Sequence, residues 1–236
     1  MVNETFIFKN KRAKSKGIEL QESINVSAAV PNVNEIAIPG RNGAIVECDG
    51  SYANRTITAR CYLLDYALEK GIDDINAWLL GQNGYFRFED SNDTRHFMMA
   101  RAVRGIEKNA RLGLLNPFLL EFDAKPQRFL KIGEKAVDAT ATKSIYNPTS
   151  FPALPLIELS GSGDIAVTIF GVTLNVYGLN GVITYDAETD NAYNGAQNLN
   201  SMVGTTDVLT IPKGRNEITV TGAVTSLKIT PRWWEL

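Results

Sequence analysis

Residues 163–176 read Gly-Asp-Ile-Ala-Val-Thr-Ile-Phe-Gly-Val-Thr-Leu-Asn-Val. Ile165, Val167 and Ile169 fall on one face of an extended chain, and Val172, Leu174 and Val176 repeat the pattern. Side chains two residues apart share a face only in a strand, so this period predicts half-buried β-structure. The alternation returns at Ile218 and Val220 and at Leu227 and Ile229. Gly161-Ser162-Gly163, Asn180-Gly181, Lys213-Gly214 and Gly222 read as turns between such strands. Asn180-Gly181 is the favoured two-residue hairpin turn, because both positions tolerate positive φ. Strands at this spacing without helices predict an antiparallel sandwich from Leu156 to the end.

Working back toward the N-terminus, three of the nine prolines, Pro148, Pro152 and Pro155, fall between Asn147 and Leu156. Prolines this close resist both helix and central strand, so the segment reads as a linker or the approach to a new domain. The expected division is therefore 1–143 and 144–236. In the first part, Thr5 to Lys9, Asn25 to Ala29, Glu35 to Ile38, Ala44 to Cys48 and Arg55 to Leu64 read as a meander of short strands. Pro39-Gly40-Arg41-Asn42-Gly43 supplies one of its turns. Tyr85 to Phe88, His96 to Arg104 and Leu114 to Ala124 continue the strands, with Phe118, Leu120 and Phe122 on one face of the last. The single helical pattern runs from Asp73 to Leu80, where Ile72, Ile75, Trp78 and Leu79 recur, with Asp73 as expected N-cap and Gly81 as C-cap. Two turns are stable only when packed, so Trp78 is expected to face a sheet. The fold class is mainly β: an N-terminal sandwich-like domain with one short helix, then an antiparallel sandwich.

The chain of 236 residues carries a net charge of −2, which conceals a difference between its parts. Up to Lys143 there are 20 basic and 18 acidic residues, a balance of +2, and beyond it 4 and 8, a balance of −4. Neither value fits a protein dedicated to nucleic acid. The one basic cluster, Lys9, Lys11, Arg12, Lys14 and Lys16, lies in a turn-like stretch ended by Gly17. A solvated loop is the plain reading, and a contact with an acidic partner surface or with passing DNA is the functional one. No apolar stretch approaches a membrane helix, and the start lacks a secretory pattern, so folding in a cytoplasm is expected. Cys48 and Cys61 read as small buried hydrophobes, too far out of register to pair.

Catalytic patterns are weak. His96 is the only histidine, in an apparent strand with no patterned serine or cysteine beside it. Gly161-Ser162-Gly163 has no third glycine and no Lys-Ser/Thr pair, so it is no phosphate loop. Asp186, Glu188 and Asp190 resemble the start of a calcium loop, but Asn191 stands where glycine is needed and Gln197 where glutamate is needed. These residues and Asp90, Asn92 and Asp93 read as solvated turns. No catalytic residue, cofactor or metal is expected.

Several strings, in order, resemble the distal tail proteins of long-tailed, non-contractile bacteriophages and their prophages. They are Pro39-Gly40-Arg41-Asn42-Gly43, Asp49-Gly50-Ser51-Tyr52 with Arg55-Thr56-Ile57, the helix from Ile75 to Leu79, and Phe118 to Ala124 with Pro126. In the second part they are Asn147-Pro148-Thr149 with Pro155-Leu156-Ile157, Gly161-Ser162-Gly163, Gly214 with Asn216 and Ile218, and Ile229-Thr230-Pro231-Arg232-Trp233. The resemblance implies a virion structural protein at the tail tip, synthesised in the host cytoplasm. Its tail-tube-like first domain would form a hexameric ring with a channel for DNA, between the tail tube and a tail-associated hub or lysin protein. Its galectin-like second domain would face outward toward receptor-binding or baseplate proteins. Candidate assembly contacts are Lys11, Arg12, Lys14, Lys16, Arg41 and Asn42.

A carbohydrate-binding sandwich is the main rival. Trp233 and Trp234 could stack on sugar, but neighbours in a strand point to opposite faces, so no flat double platform is expected. A glycosidase using carboxylates alone is a remoter alternative.

Overall fold

The computed structural model describes residues 4–64, 71–107, 117–141 and 143–236. Packing divides the chain into two compact units, 1–128 with Leu236, and 129–235.

In the first unit the strands are β1 (Phe6–Phe8), β2 (Lys11–Arg12), β3 (Ile18–Leu20), β4 (Asn25–Val26), β5 (Pro31–Ala37), β6 (Ala44–Tyr52), β7 (Arg55–Leu63), β8 (Phe86–Asp90), β9 (His96–Ala102) and β10 (Phe118–Leu130), with helix α1 (Ile72–Leu80) between β7 and β8. The main sheet runs β2-β1-β8-β9-β10-β7-β3, and β4 also pairs with β7. Alternation places the core: Arg55, Ile57, Ala59, Cys61 and Leu63 of β7 are buried and the residues between them are not. Phe6, Phe8, Phe88, Phe122 and Trp78 interlock with ring centroids from 5.0 to 6.4 Å apart. Ile75, Trp78 and Leu79 of α1 are buried, as the helical spacing predicts, and the Trp78 indole donates to the Phe8 carbonyl at 3.3 Å. The N-cap differs from expectation, while Gly81 is the C-cap as expected. Gly71 occupies the N-cap position, which leaves Asp73 inside the first turn, beside the positive end of the helix. Gly81 keeps an ordinary φ of −67° but has no room for a side chain, since a Cβ would stand 2.3 Å from the Ala77 carbonyl oxygen.

The expected meander also breaks. β5 and β6 leave the main sheet and pair only with each other. Cys48, on β6, is therefore exposed, while Cys61 is buried as expected and its thiol is pushed up to about 12 by burial.

In the second unit β11 (Val137–Asp138), β12 (Ser144–Asn147), β13 (Leu156–Ile169), β14 (Val172–Asp186), β15 (Asn191–Asn194), β16 (Gln197–Asn198), β17 (Val203–Thr205) and β18 (Gly214–Thr230) form one antiparallel sheet. Its order is β11-β18-β13-β14-β15-β16, with β12 on β18 and β17 on β14. Ile165, Val167, Ile169, Leu174, Val176, Ile218, Leu227 and Ile229 fill one core, so the alternation read from the sequence holds.

Three expected turns are instead kinks within long strands. Gly161-Ser162-Gly163 lies inside β13, Asn180-Gly181 inside β14 and Gly222 inside β18. Gly161 pairs with Gly181, and the register slips between Gly163 and Ile165. Positive φ in a paired strand makes a bulge and bends it, so the same strands continue around the core. The true turn is Phe170-Gly171, both at positive φ, between Ile169 and Val172.

The proline segment is packed within the second unit, and the divide falls at 128/129 where 143/144 was expected. Asn147 is fully buried: its amide donates to the carbonyls of Phe151 and Ile211 at 2.9 and 2.8 Å, and its Oδ1 accepts from the N–H and hydroxyl of Thr149. A buried asparagine with these partners fixes a turn, so proline here shapes a corner.

Candidate functional site

The residues singled out from the sequence fall on two features of the first unit. The first is the lysine turn. Phe8 pairs with Lys11, which leaves Lys9 and Asn10 as a two-residue loop, both at positive φ. Lys9 is held there by its tip. Its ammonium donates to the carbonyls of Trp78 and Leu79 at 2.9 and 3.4 Å and stands 4.4 Å from the Phe86 ring centroid. Those carbonyls end α1, where a cation is favoured. Burial lowers the Lys9 pKa. Residues Ala13–Lys16 then form a 3-10 turn pinned by buried Ala13 and closed by Gly17 at φ 74°. Lys14 pairs with Glu19 at 3.1 Å. Lys9, Lys11 and Lys16, with Asp74, Trp78 and Gln82, line a cleft of about 600 Å³.

The second feature is the β5–β6 hairpin, with Arg41 and Asn42 in the turn at its tip. It is built on a separate sheet from the lysine turn. Its base is fixed by the Ala53 N–H donating to the Val30 carbonyl at 2.8 Å and by the Asn32 amide donating to the Ser51 hydroxyl at 2.8 Å. Beyond that base every residue of β5, and every residue of β6 before Tyr52, is exposed. Register assigns the faces. Val33 pairs with Cys48, Glu35 with Val46 and Ala37 with Ala44 on one side, and Asn34 pairs with Glu47 and Ile36 with Ile45 on the other. Each face thus carries one glutamate: the first is otherwise apolar, and the second is divided between Ile36 with Ile45 and Asn34 with Glu47. Val33 is 50% exposed, Ile36 40%, Ile45 43% and Val46 58%. Apolar side chains on both faces are the pattern of a strand covered on both sides. A two-stranded hairpin is at best marginally stable alone, and its outer edges offer unpaired backbone groups. The sequence locates the tip and the two strands behind it, but not that they pair apart from the main sheet and stay exposed on both faces. Ala44-Ile45-Val46 was the available signal, three apolar residues in a row where a half-buried strand alternates.

The polar clusters are structural. His96 is buried at the start of β9 and donates from Nδ1 to the Asp93 carboxylate at 2.8 Å. Burial alone would raise the Asp93 pKa, but the hydrogen bond and charge of His96 and two backbone N–H groups lower it. Asp123 accepts from Asn54, Tyr85 and Arg101 at 2.9, 2.9 and 2.8 Å, and these bonds outweigh its partial burial to lower its pKa. In the loop that resembles a calcium site, the Arg232 guanidinium holds Asp186 bidentately at 2.6 and 3.0 Å with Glu188 at 3.6 Å, so a protein cation occupies the carboxylates. Among the described residues no group of three or more His, Cys, Asp or Glu could hold a metal ion, and no helix is long and apolar enough to cross a membrane. Trp233 is buried, and Trp234 stacks on Phe151 at 4.4 Å between centroids, so the two tryptophans form no joint platform.

No protein-family model and no curated protein sequence matches the chain. Solved structures do. The chain is similar to the Dit protein (gp 19.1) of phage SPP1, described as a paradigm of the hub adsorption apparatus in phages that infect Gram-positive bacteria, with a TM-score of 0.75 and 15% identity over 99% of both chains. It is also similar to a chain of the phage P2 baseplate in its activated conformation with Ca, with a TM-score of 0.55 and 11% identity over 97% of this chain and 98% of that one. The same baseplate with Sr gives 0.53 at the same identity and coverage. The mainly β fold of this chain is the fold of the phage SPP1 Dit protein.

Proposed function

We propose that this protein is a structural component of a phage tail tip that works by assembling with copies of itself, and that it is not an enzyme. It forms a hexameric ring with a channel for DNA, joins the tail tube to a tail-associated hub or lysin protein, and presents its second unit to receptor-binding or baseplate proteins. The observation that carries this reading is the β5–β6 hairpin, which bears exposed apolar residues on both faces and is covered on neither. The whole-chain likeness to a phage hub protein supports it.

Magnitudes indicate how assembly would proceed. Burying the exposed half of Val33, Ile36, Ile45 and Val46 contributes on the order of 1 kcal/mol each. Association costs roughly 4–15 kcal/mol in lost freedom. One hairpin contact is thus weak, whereas closure of a ring or a tail-tube template supplies the later contacts at high effective concentration. The test is electron microscopy of the purified chain over a concentration series, with and without tail-tube protein. Six-membered rings are expected at high concentration or with the tube. A chain that stays monomeric under both conditions contradicts the proposal.

A further inference from the structure

We infer that the hairpin of one copy seats on the lysine-lined cleft of a second copy, an inference that rests on the self-assembly reading above. Between Pro31 and Tyr52 the hairpin carries Glu35, Glu47 and Asp49 against the single base Arg41. Its charge is acidic and its flanking surface aliphatic, with Ile36 and Ile45 beside Glu47 on one face. The cleft has the complementary character. Lys9 is engaged by the end of α1, which leaves Lys11 and Lys16 to carry the positive charge at its rim, while Ala77 and Trp78 contribute apolar surface. Asp74 is the single acid among the described residues of its lining.

The two surfaces differ, so the contact is head-to-tail, the type that closes into a ring. The chain's own hairpin leaves the cleft open, and a strand reach of roughly 30 Å, at about 3.3 Å per residue, can span to a neighbour. The candidate contacts Lys11 and Lys16 thereby acquire a counterpart in Glu47, and Glu35, on the opposite face, adds to the acidic charge of the hairpin. Arg41 and Asn42, at the tip, extend past the paired strands.

A charge swap tests the pairing in the full-length chain. One variant carries Glu35→Lys and Glu47→Lys, the other Lys11→Glu and Lys16→Glu. Like charges set opposite each other discriminate strongly against a contact, so each variant alone is expected to self-associate about ten- to a hundredfold more weakly than the wild type by sedimentation. Mixed in equal amounts, both contacts become attractive again, because each hairpin meets a cleft of opposite sign. The expected product is an assembly of alternating copies, identified by native mass spectrometry. Variants that assemble like the wild type, or a mixture no better than its components, overturn the inference while leaving self-assembly itself intact. A wild type that never assembles removes the broader reading as well. The positions are exposed, so melting temperatures should match the wild type. Should either variant melt early, the neutral substitutions Glu35→Gln with Glu47→Gln and Lys11→Gln with Lys16→Gln take its place, with an expected weakening of about two- to fivefold.

Discussion

Two hairpins in this chain use similar residues to opposite effect. β13–β14 alternates apolar and polar positions, and its apolar set, from Ile157 to Ile183, is buried in the core of its own unit. β5–β6 has apolar residues on both faces, and the fold of its own unit covers neither. The lesson is that hydrophobic content alone does not locate a core. Alternation marks a strand that completes its packing within the chain, whereas two apolar faces mark one whose packing lies elsewhere.

Substitutions should separate the two. The largest effect is expected from Val167→Asp, which places a charge at a fully buried position of β13 and should cost about 4 kcal/mol or more, read as loss of the second unit's cooperative unfolding. The matching change in the other hairpin, Ile45→Asp, should shift the stability of dispersed protein by under about 0.5 kcal/mol while abolishing assembly. Equal destabilisation by both would erase the distinction. Next comes Gly222→Ala. Gly222 has φ 98°, and a Cβ there would stand 2.4 Å from the Asp164 carbonyl oxygen, so the kink in β18 should lose about 2 kcal/mol in urea unfolding.

A smaller effect concerns pH. Asp93, Asp123 and Asp186 all have folded pKa values below 3.8, so each contributes stability that is present above the unfolded value and lost as pH falls through the folded one. Stability should therefore decline on the acid side of 3.8, and Asp123→Asn should flatten part of that decline. Asp93 lies in the turn before β9, Asp123 on β10 of the main sheet, and Asp186 at the end of β14 in the second unit. An acid dependence unchanged by the substitution would count against the Asp123 cluster as its source.

What the sequence disclosed follows from how local each cause is. The core faces of β7, β10, β13 and β18 were legible because alternation is a local consequence of burial. The helix was legible from Ile75, Trp78 and Leu79, but its cap was not, because Gly71 carries no side chain to signal one. Gly163, Gly181 and Gly222 were misread as turns because positive φ serves a hairpin loop and a strand bulge alike, and only the partner strands decide between them. Pro148, Pro152 and Pro155, read as a linker or the approach to a new domain, lie inside the second unit, and the reason was hidden because the buried bonds of Asn147, which fix that corner, reach across to Ile211, far along the chain. Among the candidate site residues, the lysine turn was found from its charge. The strands behind Arg41 and Asn42 were legible too, but their missing cover was not, because it is a property of the fold, which the residues alone do not state.

The central claim, that the β5–β6 hairpin is exposed in the free chain and covered in the assembly, has a native probe. Cys48 lies on the hairpin and is exposed, whereas Cys61 is buried with its thiol pushed up to about 12. Thiol labelling counted by intact mass should therefore add one group to the dispersed chain, at Cys48. In assembled rings the same reagent should add none on the same timescale, and dissolving the rings should restore the single site. Labelling of Cys48 at equal rates in rings and in dispersed chains would show that the hairpin stays uncovered, and would contradict the account.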